Sequence, residues 1–358
     1  MRNIFAAICE SGGTPYYVGG CVRDYLLGIE PKDTDIEVYG LQPNELTQIL
    51  SKFGTVDAVG VSFGVLKLRT DDGQQYDFSL PRRDNKVGDK HTDFAIVVDP
   101  FMNFNEAARR RDFTINAIGM STTGQYLDPY HGVHDLHNKK LRATSECFKE
   151  DPLRVLRGFQ LCSRFDLNPD NQLLDYCYDV YTKYDTIAKE RVWGEWEKWC
   201  LKGLYPSKGI NFLFRSGWLM KYPEILNLFG VPQHPEHHPE GCAYIHTLHV
   251  CDQMSRICVE NRIEGKQRVV YMLAALCHDF GKAFPEHGGT SKFHETKHKW
   301  VAYGHAEASV PLARKFLTFI GCPEHIIKEV IPLVAEHMVV SQTETITKST
   351  VLKLAHRL

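Results

Sequence analysis

The 358-residue sequence predicts an α+β fold, with a mixed α/β head followed by segments that are all helical. Up to about residue 142, short apolar segments alternate with turn residues, which is typical of strands. After Glu150 the apolar spacing becomes helical. Thirteen of the 17 histidines lie at or after His234, where a Pro/His-rich stretch, VPQHPEHHPEG, marks a boundary. We therefore expect three domains, at 1–142, 143–230 and 231–358.

The elements are predicted in chain order. In the head we expect strands at YYVGG, DIEVYGL, GVLKLRT, YDFSL and FAIVV, and a helix at NELTQILSKFG that ends at Gly54. Asp151 and Pro152 are suited to open the helix LRVLRGFQLCSRF, because aspartate is favoured at an N-cap and proline in a first turn. Further helices are predicted at 171–184, 190–203, 207–217, 242–260, 266–280, 305–320 and 324–338. The sequence stops within a helical pattern, so we expect the chain to continue past residue 358.

Composition limits the class of protein. Hydrophobic residues make up 43% and charged residues 24%, as in ordinary globular proteins, and no apolar run approaches the roughly 20 residues of a membrane span. The N-terminus shows no secretory signal, so we expect a cytoplasmic protein without membrane contact. The eleven cysteines form no CxxC pair and predict buried thiols instead of a disulfide frame or zinc knuckle. The net charge of −2 does not indicate nucleic-acid binding by the chain as a whole.

Two acids, Asp33 and Asp35, lie one residue apart at the start of a predicted strand. Strand alternation sends both to one side, where they repel unless a cation holds them. Mg²⁺ prefers such oxygen ligands, and two ions stabilise the attacking and leaving oxygens of a phosphoryl displacement. Upstream, Gly19 and Gly20 let backbone N–H groups approach a triphosphate, and Arg23 can add positive charge. The alternative is an exposed acidic turn beside an ordinary Gly-Gly pair.

A second group of polar residues follows in RRRDF. Arg110 and Arg111 offer donors for phosphate or ribose oxygens, and Asp112 can accept from a ribose hydroxyl. A solvated basic turn is the alternative. Asp77, in QYDFSL, is a candidate third acid on a neighbouring strand, but a surface strand residue is equally consistent with the pattern. The predicted site therefore leaves it out.

Asp151 and Arg154 lie three residues apart on a predicted helix and so share a face. Together they can present acceptors and donors to the Watson–Crick edge of a base. The alternative is that Asp151 only caps its helix and pairs with Arg154. Further along, five basic residues occur without an intervening acid: Lys198, Lys202, Lys208, Arg215 and Lys221.

These residues belong to a longer pattern, formed by GGCVRDYLLGIEPKDTDIEVYG (19–40), RRRDFTINAIGM (109–120), LDPYHGVHDL (127–136), EDPLRVLRGFQLCSRF (150–165) and AKERVWGEWEK (188–198). In the same order it resembles the motifs of the class II, bacterial-type CCA-adding tRNA nucleotidyltransferases and poly(A) polymerases, whose heads are polymerase-β-like. The resemblance implies the substrates CTP and ATP, Mg²⁺ at the head, and tRNA held through its acceptor arm by the basic residues 198–221. It also implies a flexible loop at 83–105 that helps to switch from C to A addition.

The roles that the resemblance implies fall into three groups. Asp33 and Asp35 are catalytic metal ligands. The nucleotide is bound by Gly19, Gly20, Arg23, Arg110, Arg111 and Asp112. C or A is selected, without a nucleic-acid template, by Asp151, Arg154 and Arg157.

The last third of the chain contains a second candidate metal site. An ordered set, His246, His278-Asp279, His305 and His337, combines imidazole and carboxylate ligands, which suits Mn, Ni, Fe, Mg or Zn. A bound metal can acidify water for attack on a phosphoester. Any one of these histidines alone is more often an ordinary helix or surface residue. His249 shares a face with His246 and is expected to contact the ligands from behind, and we interpret six other histidines as loop residues: His234, His237, His238, His287, His294 and His298.

This set resembles the HD phosphohydrolase domain in the version fused to bacterial CCA enzymes. The resemblance implies phosphatase, 2′-nucleotidase and 2′,3′-cyclic phosphodiesterase activities. The usual HD pattern ends in a distant aspartate, whereas His337 stands at the late position here, which bears on the number of metals. HD-fused relatives can pair, so a homodimer is one expectation.

Two alternative functions remain open from the sequence. One is a poly(A) polymerase, or an enzyme that adds only CC or only A. The HD domain favours full CCA addition, because poly(A) polymerases of this class usually lack it. The other is an HD phosphohydrolase whose head is a non-catalytic RNA-binding module, against which the intact DxD and RRD motifs argue.

Overall fold

The computed structural model describes residues 1–31, 33–57, 64–86, 94–341, 343 and 345–357. It divides into two compact units, Met1–Arg154 with Pro169–Tyr176, and Val155–Asn168 with Cys177–Leu358. The first unit combines a sheet with helices and the second is mainly helical, so the predicted α+β class is confirmed. The predicted domain boundaries near 142 and 230 stay predictions.

The first unit is a mixture of helices and strands as far as residue 141. Its helices are α1 Arg2–Glu10, α2 Gly20–Leu26, α3 Pro43–Leu50, α4 Phe104–Arg109 and α5 Gly132–His137. Its strands are β1 Thr14–Val18, β2 Asp35–Tyr39, β3 Gly54–Asp57, β4 Val65–Thr70, β5 Gln75–Ser79, β6 Arg82–Lys86, β7 Phe94–Val98, β8 Gly119–Met120, β9 Tyr126–Leu127 and β10 Lys140–Leu141.

Within the described ranges, seven strands form one sheet in the order β3-β4-β5-β2-β1-β8-β9. Strands β2 and β5 are parallel, and β1 runs antiparallel to β2. Ile36 and Val38 of β2 enter a core that includes residues of α1 and α3. Because successive strand residues point to opposite faces, Asp35 and Glu37 lie on the other face. The apolar positions of β2 thus determine where its acids point.

Several predicted elements differ from the structure, and one of them is the helix predicted at 171–184, which ends at Asp179. The strand predicted at YYVGG ends at Val18, because Gly19 has φ 76° and ψ −136°, which side-chain-bearing residues rarely adopt, and Gly20 begins α2. Helix α3 ends at Leu50 instead of Gly54. The predicted polar loop at 83–105 contains strand β6, which pairs with β7, the expected FAIVV strand. Residues 87–93 of that loop lie outside the described residues.

Helices α6 Leu153–Phe165 and α7 Asn171–Asp179 each contain residues of both units, and β11 Asn168–Pro169 lies between them. The helices that follow are α8 Lys189–Lys202, α9 Pro206–Arg215, α10 Pro223–Leu226, α11 Ala243–Glu260, α12 Gly265–Cys277, α13 His305–Phe319, α14 Glu324–Glu336, α15 Met338–Ser341 and α16 Lys348–Arg357. A short hairpin, β12 Lys292–His294 with β13 Lys299–Val301, precedes α13.

Aromatic side chains form the core of the second unit. Trp196 of α8 is fully buried, and its ring centroid lies 4.6 Å from Phe159, 5.2 Å from Tyr222 and 5.3 Å from Phe316 of α13. Large apolar rings of this kind dominate the energetics of burial, and edge-to-face contacts add to it. The helices before and after residue 231 therefore share one core.

Two expectations from composition can be compared with the structure. No helix in the described part of the chain is long and apolar enough to cross a membrane. Each of the eleven cysteines, all of them within the described residues, carries a free thiol, and most of these thiols are buried.

Candidate functional site

The head site is built on the parallel strands β2 and β5. Asp35 lies directly opposite Asp77 in the register, and Asp33 is exposed just before β2. The pKa of Asp35 is raised above its ordinary value, chiefly by partial desolvation, and Asp77 and Asp33 add like-charge repulsion while Arg111 opposes the rise. Three acids in one place, with Arg111 beside them and Lys67 3.8 Å from Asp77, suit a hard divalent cation.

Gly19 lies against this group of acids. A Cβ atom at this position would lie 3.1 Å from Nη1 of Arg111 and 3.8 Å from Oδ2 of Asp35. The glycine therefore allows the turn after β1 to pass close to both side chains. Its own N–H donates to the carbonyl of Ile118 at 3.3 Å, so this amide already serves the fold.

Glu37 holds the two predicted arginines and was not singled out from the sequence. Its side chain is fully buried, with Oε1 at 3.5 Å from Nη2 of Arg110 and Oε2 at 3.3 Å from Nη2 of Arg111. The hydroxyl of Tyr39 donates to Oε2 at 2.7 Å. Desolvation acts to raise the pKa of Glu37, but the guanidinium groups and the hydroxyl outweigh it and keep the pKa below 4.5. The alternation of Asp33, Asp35 and Glu37 was the signal available in the sequence.

Arg23 and Asp112 take part in a buried network. The Arg23 guanidinium, whose residue is 5% exposed, donates to Oδ1 of Asp24 from Nε at 2.9 Å and from Nη2 at 2.7 Å, and to Asn116 from Nη1 at 2.6 Å. Asn116 in turn donates to Oδ1 of Asp112 at 3.0 Å, which also accepts from the N–H of Phe113. Buried groups satisfied in this way leave their partners only at a cost. Both residues are thus held in place by partners within the protein as well as being candidates for contact with triphosphate and ribose.

The predicted base-selecting residues lie around the start of α6. Oδ1 of Asp151 accepts from the N–H of Leu153 at 3.0 Å, as a capping residue does. Arg154 donates to the carbonyls of Cys147 at 2.5 Å and Arg110 at 2.9 Å, which ties α6 to the arginine motif within the first unit. Arg157 is half-buried one turn further along α6, in the second unit.

Several predicted tRNA-binding lysines face acids. Lys198 lies 2.8 Å from Glu195, Lys208 lies 3.1 Å from Asp166, and Lys221 lies 3.4 Å from Asp185. The local field of the segment 198–221 is therefore weaker than its sequence alone indicates. Its exposed members include Lys202 and Arg215.

The five predicted ligands of the last third come together around Asp279, which is 1% exposed. Oδ2 lies 3.2 Å from Nε2 of His278 and 3.7 Å from Nε2 of His246. Oδ1 lies 3.2 Å from Nε2 of His305 and 3.9 Å from Nε2 of His337. Each carboxylate oxygen thus faces one pair of imidazoles. We call these five residues the histidine cluster.

The hydrogen bonds at Nδ1 fix the chemical state of the rings. In three of them Nδ1 lies 2.7 to 2.8 Å from the backbone carbonyl three residues earlier: Ala275 for His278, Ala302 for His305 and Val334 for His337. A carbonyl only accepts, so Nδ1 carries the proton and the neutral ring presents a lone pair at Nε2. Desolvation lowers the pKa of His246 and brings the pKa of His337 to about 4, which favours the neutral form of these rings.

These lone pairs converge with a negative charge. Nε2 of His246 and His278 are 3.4 Å apart, and Nε2 of His305 and His337 are 3.1 Å apart. Oδ1 of Asp279 accepts no well-formed hydrogen bond from any described residue, while Lys282 donates to Oδ2 at 2.7 Å. Lone pairs that face one another around a buried carboxylate repel unless a cation lies between them. The donor set therefore fits a divalent metal. The cluster lies in a cavity of about 1370 Å³.

Three neighbours of the histidine cluster were missed in the sequence. Lys282 contacts Asp279 as described, and Oε1 of Glu240 lies 2.7 Å from Nδ1 of His246. His238, which the sequence places in a loop without a role, has Nδ1 3.1 Å from the same Glu240 oxygen. His249 is exposed. Glu240 and His238 lie in an irregular segment, where no periodic pattern could assign them.

Comparisons with known proteins agree at the level of domains and of the whole chain. The poly A polymerase head domain family matches residues 15–142, and the HD domain family matches residues 243–358. A multifunctional CCA protein of Mannheimia succiniciproducens is 34% identical over 96% of this chain and 78% of its own. One of Nitrosococcus oceani is 34% identical over 96% of this chain and 79% of its own.

The chain belongs to the multifunctional CCA protein family. Members of this family are nucleotidyltransferases, so the chain is an enzyme, and the predicted resemblance is confirmed. The whole-chain match also favours CCA addition over a poly(A) polymerase and over a hydrolase with an inactive head.

Solved structures of CCA-adding enzymes share the fold of this family member. One is the Thermotoga maritima CCA-adding enzyme complexed with tRNA, at 18% identity with a TM-score of 0.59, matching 100% of this chain and 77% of that chain. Another is the Bacillus stearothermophilus CCA-adding enzyme in complex with CTP, at 19% identity with a TM-score of 0.56, matching 99% and 80%. A tRNA-processing enzyme in an apo form matches 99% and 88% with a TM-score of 0.64 at 18% identity.

Proposed function

We propose that this chain completes the CCA end of tRNA, using CTP and ATP in turn. The observation that carries the proposal is the register of β2 and β5, which puts Asp77 opposite Asp35, beside Asp33, Gly19 and Arg111. An acidic group next to a close-approaching turn and a guanidinium is suited to a nucleoside triphosphate and its metal. The names of the relatives support the same reaction.

In the proposed reaction, the terminal 3′ hydroxyl of tRNA attacks the α-phosphorus of the nucleotide. A new oxygen–phosphorus bond forms as the hydroxyl loses its proton to water, the bond from the α-phosphorus to the bridging oxygen breaks, and pyrophosphate leaves with that electron pair. Asp33 and Asp35, with Asp77 beside them, would hold Mg²⁺, which when bound neutralises the phosphate charge. The guanidinium groups of Arg110 and Arg111 are partly exposed, and their ion pairs with Glu37 hold them near the acids.

Base selection is assigned to the start of α6. Asp151, Arg154 and Arg157 offer acceptors and donors for the edge of cytosine or adenine. In the structure Arg154 ties this helix to the carbonyl of Arg110, so the base-selecting group and the phosphate-binding group are joined by one side chain. The exposed residues Lys202 and Arg215 are proposed to contact tRNA phosphates, a contact that weakens with salt.

The test is a set of tRNA transcripts that lack the final CCA, CA or A. Each is incubated with CTP alone or ATP alone, with and without Mg²⁺. We expect C on the first two transcripts, A on the third, and no product without the cation. Long A tails would identify a poly(A) polymerase, and incorporation of C without A, or of A without C, would identify a partial enzyme.

We propose a second, metal-dependent phosphohydrolase activity at the histidine cluster. The HD domain match and the converging Nε2 lone pairs support it. His246, His278, Asp279, His305 and His337 would hold Ni, Mn, Mg, Fe or Zn, which when bound acidifies water. Lys282, buried and 2.7 Å from Asp279, lies where it can also face a substrate phosphate. The substrates would be phosphate monoesters, 2′-nucleotides and 2′,3′-cyclic nucleotides.

This activity is tested by release of phosphate from each substrate class after chelation and after return of each metal. We expect hydrolysis to be lost on chelation and to recover with at least one metal. The metal-to-protein ratio shows whether one ion or two are bound. No hydrolysis with any metal would reject the proposal.

We also propose that the protein is cytoplasmic and forms a homodimer. Sedimentation measurements test the oligomeric state.

A further inference from the structure

One ligand of the histidine cluster is oriented differently from the others. The rings of His278, His305 and His337 are each fixed by the backbone carbonyl three residues earlier in the chain. The corresponding carbonyl for His246 belongs to Ala243, and it accepts from the hydroxyl of Thr247 at 2.9 Å. Nδ1 of His246 instead lies 2.7 Å from Oε1 of Glu240, outside the helix. The orientation of this ring therefore depends on a side chain from the segment 231–241.

The Glu240 carboxylate is shared between two rings. Nδ1 of His238 lies 3.1 Å from the same oxygen, and an ionised carboxylate can only accept, so both Nδ1 atoms carry the proton. With Nδ1 protonated, Nε2 of His246 presents its lone pair toward Asp279, at 3.7 Å from Oδ2.

We propose that Glu240 is a positioning residue of the metal centre. It holds His246 in the tautomer that directs Nε2 to the ion, and His238 steadies the carboxylate from its other side. A carboxylate behind a metal-ligating histidine fixes the ring and raises its basicity. The inference rests on the metal centre proposed above and adds that the segment 231–241 and the metal are coupled through one hydrogen bond.

A competing arrangement is an ion held directly by His238, Glu240 and His246, whose ligand atoms lie within 4.8 Å of one another. The distances of 2.7 and 3.1 Å favour hydrogen bonds to one shared oxygen. The two arrangements differ in stoichiometry. A positioning carboxylate changes the affinity for the ion, whereas a direct ligand changes the number of ions bound.

The experiment titrates full-length, metal-free protein with Co²⁺, followed by visible absorption and calorimetry. Every protein carries Asp33→Asn and Asp35→Asn, so that the head contributes little binding. Glu240→Ala and Glu240→Gln are compared with this parent. Glu236→Gln is the matched control, because Glu236 lies in the same segment, is exposed, and pairs only loosely with His234 at 3.4 Å.

We expect Glu240→Ala to weaken Co²⁺ binding by about 10- to 100-fold with unchanged stoichiometry. Glu240→Gln keeps an oxygen acceptor without the charge and should fall between the parent and the alanine variant, while Glu236→Gln binds like the parent. All metal-free variants should have the same melting temperature as the parent, whereas loss of a merely structural contact would lower it. Equal affinity in Glu240→Ala, or loss of one equivalent of Co²⁺, overturns the inference. If the parent itself binds no Co²⁺, the proposed metal centre fails as well.

Discussion

The acidic site of the head and the histidine cluster differ in the groups that surround their carboxylates. In the head, Asp77 lies opposite Asp35 on the neighbouring strand, and the pKa of Asp35 is raised by partial desolvation and by the like charges of Asp77 and Asp33. In the cluster, Asp279 is buried among rings whose Nδ1 protons are already committed to carbonyls or to Glu240. We therefore expect the head site to bind its metal together with the nucleotide, whereas the metal ligands of the cluster are already oriented without a substrate. We expect weak metal binding in the head without nucleotide and tight binding in the cluster.

The largest effect is expected from Asp35→Ala. Removal of one acid takes away several kcal/mol of metal-assisted stabilisation, so nucleotide incorporation should fall by about 10³-fold or more. Affinity for tRNA should change little, because phosphate contacts made elsewhere carry it. Single-turnover incorporation and a filter-binding titration measure the two quantities, and incorporation at the wild-type rate would contradict the metal assignment.

The next effect concerns the independence of the two sites. Asp279→Asn removes the charge that both imidazole pairs face, so metal affinity of the cluster should fall by at least about 100-fold, with hydrolysis lost alongside it. Nucleotide incorporation should stay within about twofold of wild type, since no step proposed for the head uses this residue. Metal analysis and both activity assays are run on one preparation. A matching loss of incorporation would show that the two sites are coupled.

A third prediction tests the buried pair that holds the arginines. Glu37→Gln leaves Arg110 and Arg111 without their buried counter-charge and should lower the free energy of unfolding by about 3 kcal/mol. Because the folded pKa of Glu37 lies below 4.5, its contribution is complete above that pH and is lost as the pH falls through the folded value. Denaturant titrations of both proteins should show a constant difference from about pH 7 to about pH 5 and a shrinking one below it. A difference that grows on acidification would contradict the assignment.

The smallest effect separates strain from function. Gly19→Ala and Gly12→Ala both force a side chain into positive φ, at 76° and 86°, and should each cost about 1 to 2 kcal/mol of stability. Only at Gly19 would the new Cβ meet site atoms, 3.1 Å from Arg111, whereas nothing lies within 4 Å at Gly12. We expect the KM for CTP to rise about tenfold in the first variant only. Equal kinetics in both variants would remove Gly19 from the nucleotide site.

The sequence predicts local geometry better than long-range pairing. Alternation alone sends Asp33 and Asp35 to one side, and helix spacing with an adjacent His-Asp pair indicates the histidine cluster. The position of Asp77 depends on β5 lying parallel to β2, which no local pattern encodes. The burial of Glu37 depends on Arg111, which follows 74 residues later. Glu240 contacts His246 from an irregular segment, where periodicity gives no information.

The parallel register of β2 and β5 links the positions of Asp35 and Asp77 to the packing of the hydrophobic core. Ile36 and Phe78 are paired in that register and are both fully buried, one residue beyond Asp35 and Asp77. A slip of one strand by a single residue would expose an apolar side chain and turn its acid away from the other. A register shift that separated the two acids would therefore also destabilise the head. Selection for a stable fold thus preserves the positions of these acids.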